Sequence, residues 1–130
     1  MKVLALDYGS ARTGVAVSDP SGTLARPLTV VTRVRTPKGM KELLDLVRAE
    51  EPERVVVGLP LTLRGARGEQ ARETETFVEE LRAALDVPVE TWDERFTTAL
   101  ASRGGASAED ARAAAHLLSS WLEWKSRARA

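Results

Sequence analysis

Cysteine is absent, and with it go disulfides, thiolate metal sites and thiol nucleophiles. Histidine occurs once, at His116, where it shares a helical face with Arg112, Ser119 and Glu123 and is expected to be exposed. No apolar run approaches the ~18 residues a membrane span requires. The N-terminus has no apolar stretch followed by a cleavage site, so the expected address is cytoplasmic. Net charge is also lacking, since 19 Lys and Arg balance 19 Asp and Glu. Taken alone, that balance disfavours a protein that grips nucleic acid by bulk phosphate neutralisation. What is left is a chain of 130 residues, enough for one domain with a substantial core.

The zero is a sum of unlike parts. Residues 1–40 carry six basic groups against two acidic, residues 41–94 seven against fourteen, and residues 95–130 six against three. The hydrophobic pattern divides along similar lines. Apolar runs at Lys2–Tyr8, Thr13–Ser18 and Pro27–Thr32, joined by Gly, Asp, Pro and Ser, predict three antiparallel strands. The period then becomes helical. Thr36-Pro37 offers an N-cap with proline behind it, and Met40, Leu43, Leu44 and Val47 come after at helical spacing. Arg54–Gly58 reads as a fully buried strand, Ala71–Leu85 as a second helix, Val87–Trp92 as a last strand, and Ala111–Leu122 as a final amphipathic helix. The order β-β-β-α-β-α-β-α predicts an α/β fold: a mixed five-stranded sheet, three strands antiparallel and two more parallel, flanked by helices. A single domain over 1–130 is expected, with a loose tail over about 125–130.

Six aspartates stand against thirteen glutamates, and three of the six are placed unlike surface residues. Asp7 closes an apolar strand. Asp93, with Glu94 beside it, ends the last strand. Asp110 opens the final helix in register with Ala114, Leu117 and Trp121, which aims it toward the buried side. Functional groups on parallel sheets gather at the carboxyl ends of strands. Converging carboxylates need a counter-charge, and an oxygen-only set suits Mg²⁺ or Mn²⁺. Two such ions fit in-line displacement at a phosphodiester. Plainer readings exist for some of them: Asp110 as an acid favoured by the helix dipole, Asp93 as an N-cap for the next helix. Asp7 needs a partner in either case. The glycines of Gly9–Gly14 link two strands and open no helix, which excludes a dinucleotide or P-loop reading. Gly58, Gly65 and Gly68 punctuate a loop that serves either as a simple connection or as a close approach to a ligand.

Several segments together resemble the YqgF/RuvX family: Leu6-Asp7-Tyr8-Gly9, Arg12–Asp19 (RTGVAVSD), Val57–Leu61 (VGLPL), Gly65 with Gly68-Glu69-Gln70, Trp92–Thr98 (WDERFTT), and Asp110 with Ala113, Ala114, Leu117 and Leu118 after it. The match runs from Lys2 to about Leu122. That family is described as Holliday-junction-resolvase-like and as a nuclease of the pre-16S rRNA 5′ end. The resemblance implies a ribonuclease-H-like fold and divalent-metal-dependent phosphodiester hydrolysis. It implies catalytic and metal-holding roles for Asp7, Glu94 and Asp110, with Asp93 an alternative ligand. It also implies substrate contacts at Gly9, Arg12, Arg95 and Thr97. The sequence departs from the family pattern at Ala11, where Lys is frequent, at Thr62, where Asn is common, and in a short 99–109 segment whose one basic residue is Arg103.

The leading expectation is thus a two-metal-ion nuclease that processes pre-16S rRNA on a pre-ribosomal particle, with Mg²⁺ or Mn²⁺ as cofactor. A second keeps the fold but takes branched DNA, which calls for a two-fold dimer. A third is a non-catalytic ribosome-associated module that retains the carboxylates. The expected assembly is a monomer or weak homodimer, without a membrane partner.

Overall fold

The computed structural model describes residues 1–61, 64–96 and 107–128. Its elements are β1 (Val3–Asp7), β2 (Arg12–Ser18), β3 (Ala25–Thr32), α1 (Pro37–Glu50), β4 (Arg54–Leu59), α2 (Glu69–Ala84), β5 (Val89–Asp93), a 3₁₀ turn (Glu94–Phe96) and α3 (Ser107–Ala128). The sheet order is β3-β2-β1-β4-β5. β1 runs antiparallel to β2 and parallel to β4, and β5 runs parallel to β4. This is the expected mixed sheet, with β1 at its centre.

Alternation along β1 sorts the core into two layers. Leu4, Leu6 and Tyr8 face Leu43 and Val47 of α1 and Phe77, Val78 and Leu81 of α2. Val3 and Ala5 face the other way, against Ala114, Leu117, Leu118 and Trp121 of α3. Asp7 continues the odd-numbered row and therefore ends on the α3 side.

Local chemistry sets the element ends. The Thr36 hydroxyl accepts from the Gly39 amide at 3.1 Å, with Pro37 at the first helical position. Glu51 ends α1 in a left-handed conformation (φ 50°) before Pro52. The β2–β3 turn is held by Asp19, whose carboxylate accepts from the Thr23 and Leu24 amides at 2.8 and 2.9 Å. These bonds, with one from Ser21, pull its pKa down to about 2. Pro27 is tolerated because β3 is an edge strand and its register slips between Val15 and Ala16 of β2.

Of the tail expected to be loose over about 125–130, the described part continues α3 to Ala128, and residues 129–130 lie outside the described residues. Arg127 pairs back to Glu123 at 2.7 Å, and the Lys125 ammonium sits 5.8 Å from the Trp121 ring centroid. Both contacts join residues one helical turn apart, which is how a polar helix end is sustained without a buried face.

A carboxylate site between two glycines

The end of β1 fixes the position of Asp7, and its two neighbouring strands carry glycine beside it. On β2, Gly14 is the register partner of Asp7. A Cβ at Gly14 would lie 1.9 Å from the Asp110 carbonyl oxygen, so only a glycine lets the first turns of α3 seat against the sheet here. On β4, Val57 pairs with Leu6, and Gly58 is the next residue. A Cβ at Gly58 would meet Leu117 at 2.3 Å and the Glu94 Oε2 at 2.9 Å. The missing side chains thus admit Asp110 from one direction and Glu94 from the other.

The electrostatics record the crowding. Burial raises the Asp7 carboxyl to about 6, and the nearby Asp110 charge adds to the effect. Burial likewise raises Glu94 to about 7, with further contributions from Asp7 and then Asp93. Neither shift has a hydrogen bond or cation among its causes. Asp110 differs, since its Oδ2 accepts from the Arg12 Nε at 2.8 Å.

Asp93 and Glu94 separate as strand alternation requires. The Asp93 carboxylate accepts from the Arg95 amide at 2.9 Å and pairs with its guanidinium at 2.6 Å. Those bonds hold its pKa below the usual carboxylate range. Asp93 therefore caps the 3₁₀ turn while Glu94 turns toward Asp7. Arg95 also lies 3.3 Å from where a Gly65 side chain would begin, so the glycine-punctuated loop abuts this turn.

Of the expected substrate contacts, Arg12 and Arg95 are both engaged by aspartates. Gly9 is bound within its own turn, its carbonyl accepting from the Thr13 hydroxyl at 3.2 Å. Thr97 lies outside the described residues, as do Thr62 and Arg103. As they stand, no three His, Asp or Glu side chains among the described residues form a group that could hold a metal ion. The donor chemistry nonetheless suits a hard cation: Asp7 and Glu94 are desolvated, repel each other, and present only oxygen.

Sequence reading named Gly14 and Gly58 but missed their placement on the two strands beside Asp7. The available signal was glycine inside two otherwise β-branched strands, a placement that marks close approach of another group. It also missed Tyr8, whose hydroxyl donates to Glu73 on α2 while its ring stacks on Phe77 at 4.6 Å. These contacts anchor the residue next to Asp7 from the opposite face.

A family model described as "RuvX: Holliday junction resolvase" matches residues 1–124. A protein of Roseiflexus sp. (strain RS-1), provisionally named a pre-16S rRNA nuclease, is 46% identical over 102 residues, covering 78% of this chain and 72% of its own length. Among solved structures, T. thermophilus RuvC in complex with a Holliday junction substrate superposes with a TM-score of 0.62 at 20% identity, covering 97% of this chain and 96% of that one. The yeast mitochondrial Holliday junction resolvase Ydc2 gives 0.56 at 10% identity, covering 98% of this chain and 80% of that one. These likenesses show a ribonuclease-H-like fold.

Proposed function

Since the chain belongs to the RuvX family, we propose that it is a divalent-metal-dependent nuclease that hydrolyses phosphodiester bonds in RNA, with the 5′ end of pre-16S rRNA as substrate. The observation that carries this reading is the placement of two half-buried carboxyls at the sheet's carboxyl end, Asp7 closing β1 and the Glu94 Oε2 lying against Gly58 on the neighbouring strand, with their pKa values raised to about 6 and about 7. A fold does not bury such a pair for stability, because each ionised group penalises the other. Active sites are where that arrangement recurs.

Asp7, Glu94 and Asp110 are the residues that would hold Mg²⁺ or Mn²⁺, and Asp93 is already satisfied by Arg95. The chemistry a cation held there would supply is activation of water for attack on phosphorus and stabilisation of the departing oxygen. Asp7 would contribute its carboxylate from the central strand. Glu94 approaches from the β5 side and Asp110 from α3, so the set draws on three elements fixed by one core. Arg12 would meet a phosphate, and Arg95 through Asp93 holds the 3₁₀ turn that carries Glu94.

The RuvC likeness supports a second substrate, branched DNA, on the same chemistry. One experiment separates them: labelled RNA spanning a mature 16S 5′ boundary and a labelled four-way junction, each incubated with Mn²⁺ and either wild-type or Asp7→Asn protein. The proposal expects RNA cleavage that Asp7→Asn abolishes in a folded protein. Paired cuts in the junction with intact RNA would favour the second substrate. Cleavage that survives Asp7→Asn ends the mechanism.

A further inference from the structure

We infer that Arg12 is the resident counter-ion of Asp110 and competes with a divalent cation for that carboxylate, so that loading the site hands Arg12 over from carboxylate to phosphate. The inference rests on reading Asp110 as a cation ligand. Its basis is the ion pair itself: the Asp110 Oδ2 accepts from the Arg12 Nε at 2.8 Å, while the Asp110 charge still reaches Asp7.

The fold makes this contact hard to avoid. Arg12 opens β2 two residues before Gly14, so both lie on the face that meets α3. The close seating of the Asp110 backbone on Gly14 fixes where the helix begins. Asp110 is thus held between Arg12 and Asp7, and its charge is felt at Asp7. Without a cation the guanidinium neutralises one of the three acids and leaves Asp7 and Glu94 without a counter-charge among the described residues. The pair is partly open, with 39% and 23% of its side chains exposed, so it is weak enough to exchange. A divalent ion shared with Asp7 and Glu94 interacts with three carboxylates, where Arg12 pairs with one. Once released, the guanidinium offers a planar fork to phosphate oxygens at the mouth of the site.

The test is Mn²⁺ binding alone, measured by calorimetry and by electron paramagnetic resonance on four full-length proteins: wild type, Arg12→Gln, Asp110→Asn and the double variant. Arg12→Gln should tighten Mn²⁺ binding roughly fivefold, the size a half-exposed pair can impose. In the Asp110→Asn background the same change should have no effect. Unchanged affinity in Arg12→Gln overturns the inference. So does equal tightening in both backgrounds, which would be a field effect without competition. Loss of Mn²⁺ binding in every protein, wild type included, would instead bring down the underlying cation site. A second measurement needs no variant: the Arg12 Nε–H resonance of the wild type should lose its hydrogen-bonded position as Mg²⁺ saturates the protein. Retention of that position would also overturn the competition.

Discussion

Replacing Asp7 by Asn should make the metal-free protein more stable while removing its activity, and the gain should depend on pH. A carboxyl that holds its proton more tightly in the folded chain than in the unfolded one supports the fold at low pH. That support is lost as pH climbs through the folded value. For Asp7 the loss runs from 3.8 to about 6, and for Glu94 from 4.5 to about 7. Ionising Asp7 in place therefore costs on the order of 3 kcal/mol by pH 8, and below about 1 kcal/mol at pH 4. The Glu94 contribution does not simply add, because the two groups titrate as a coupled pair. Asn keeps the shape and removes the charge. In urea or thermal denaturation with chelator, Asp7→Asn should exceed wild type by up to about 3 kcal/mol at pH 8, roughly 10 °C in Tm. At pH 4 the two proteins should nearly coincide. Saturating Mg²⁺ should raise the wild type and leave Asp7→Asn almost unmoved. A gain of the same size at both pH values, or a loss at pH 8, would refute the account of a buried, repelling pair.

The same geometry bears on four further measurements. Gly14→Ala should destabilise by about 1–3 kcal/mol in urea titration, because its Cβ meets the Asp110 carbonyl and α3 must lift from β2. Gly58→Ala should lower both stability and activity, as its Cβ meets buried Leu117 of α3 and then the Glu94 carboxylate, and urea titration with a cleavage assay reads the two losses. Trp121→Phe removes the indole N–H that donates to Glu90 at 2.9 Å and should cost about 1–3 kcal/mol in chemical denaturation, Glu90 keeping only Arg54. Mg²⁺ binding at pH 6.5 should release protons, measured by calorimetry in buffers of different ionisation enthalpy, since Glu94 is largely protonated below about 7.

The fold was legible because each element carries its own period. The β1 run, the uninterrupted apolar β4 and the capped start of α1 are local signals that the tertiary structure leaves in place. The end of α3 shows the limit: Lys125–Ala128 buries no apolar stripe, and its helix rests on pairs with Glu123 and Trp121 that composition alone does not advertise. The site was half legible. Asp7, Asp110 and the Asp93–Glu94 pair stood out by position, and the family resemblance preferred Glu94, but their approach depends on Gly14 and Gly58, and an absent side chain leaves little trace in a hydrophobic pattern. What distinguishes Asp93 from Glu94 is the 3₁₀ turn, where Arg95 closes on Asp93.

What distinguishes Asp7 is clearest against the other aspartates. Asp19 is consumed by the β2–β3 turn, Asp45 by Lys41 and Arg48 on α1, Asp93 by Arg95, and Asp110 by Arg12. Each of these four has a partner that lowers the cost of its charge, and Asp86 lies exposed to solvent. Asp7 is desolvated, the charge that perturbs it is the repelling one of Asp110, and Glu94 faces it in a like condition. A stable core would resolve that conflict with one substitution to an amide or an apolar residue. That the chain keeps it, with Gly58 leaving room for the Glu94 carboxylate, supports the proposal that these acids bind a cation. The overall neutrality then ceases to be an objection, because divalent ions bound among these acids would put local positive charge where phosphate must approach.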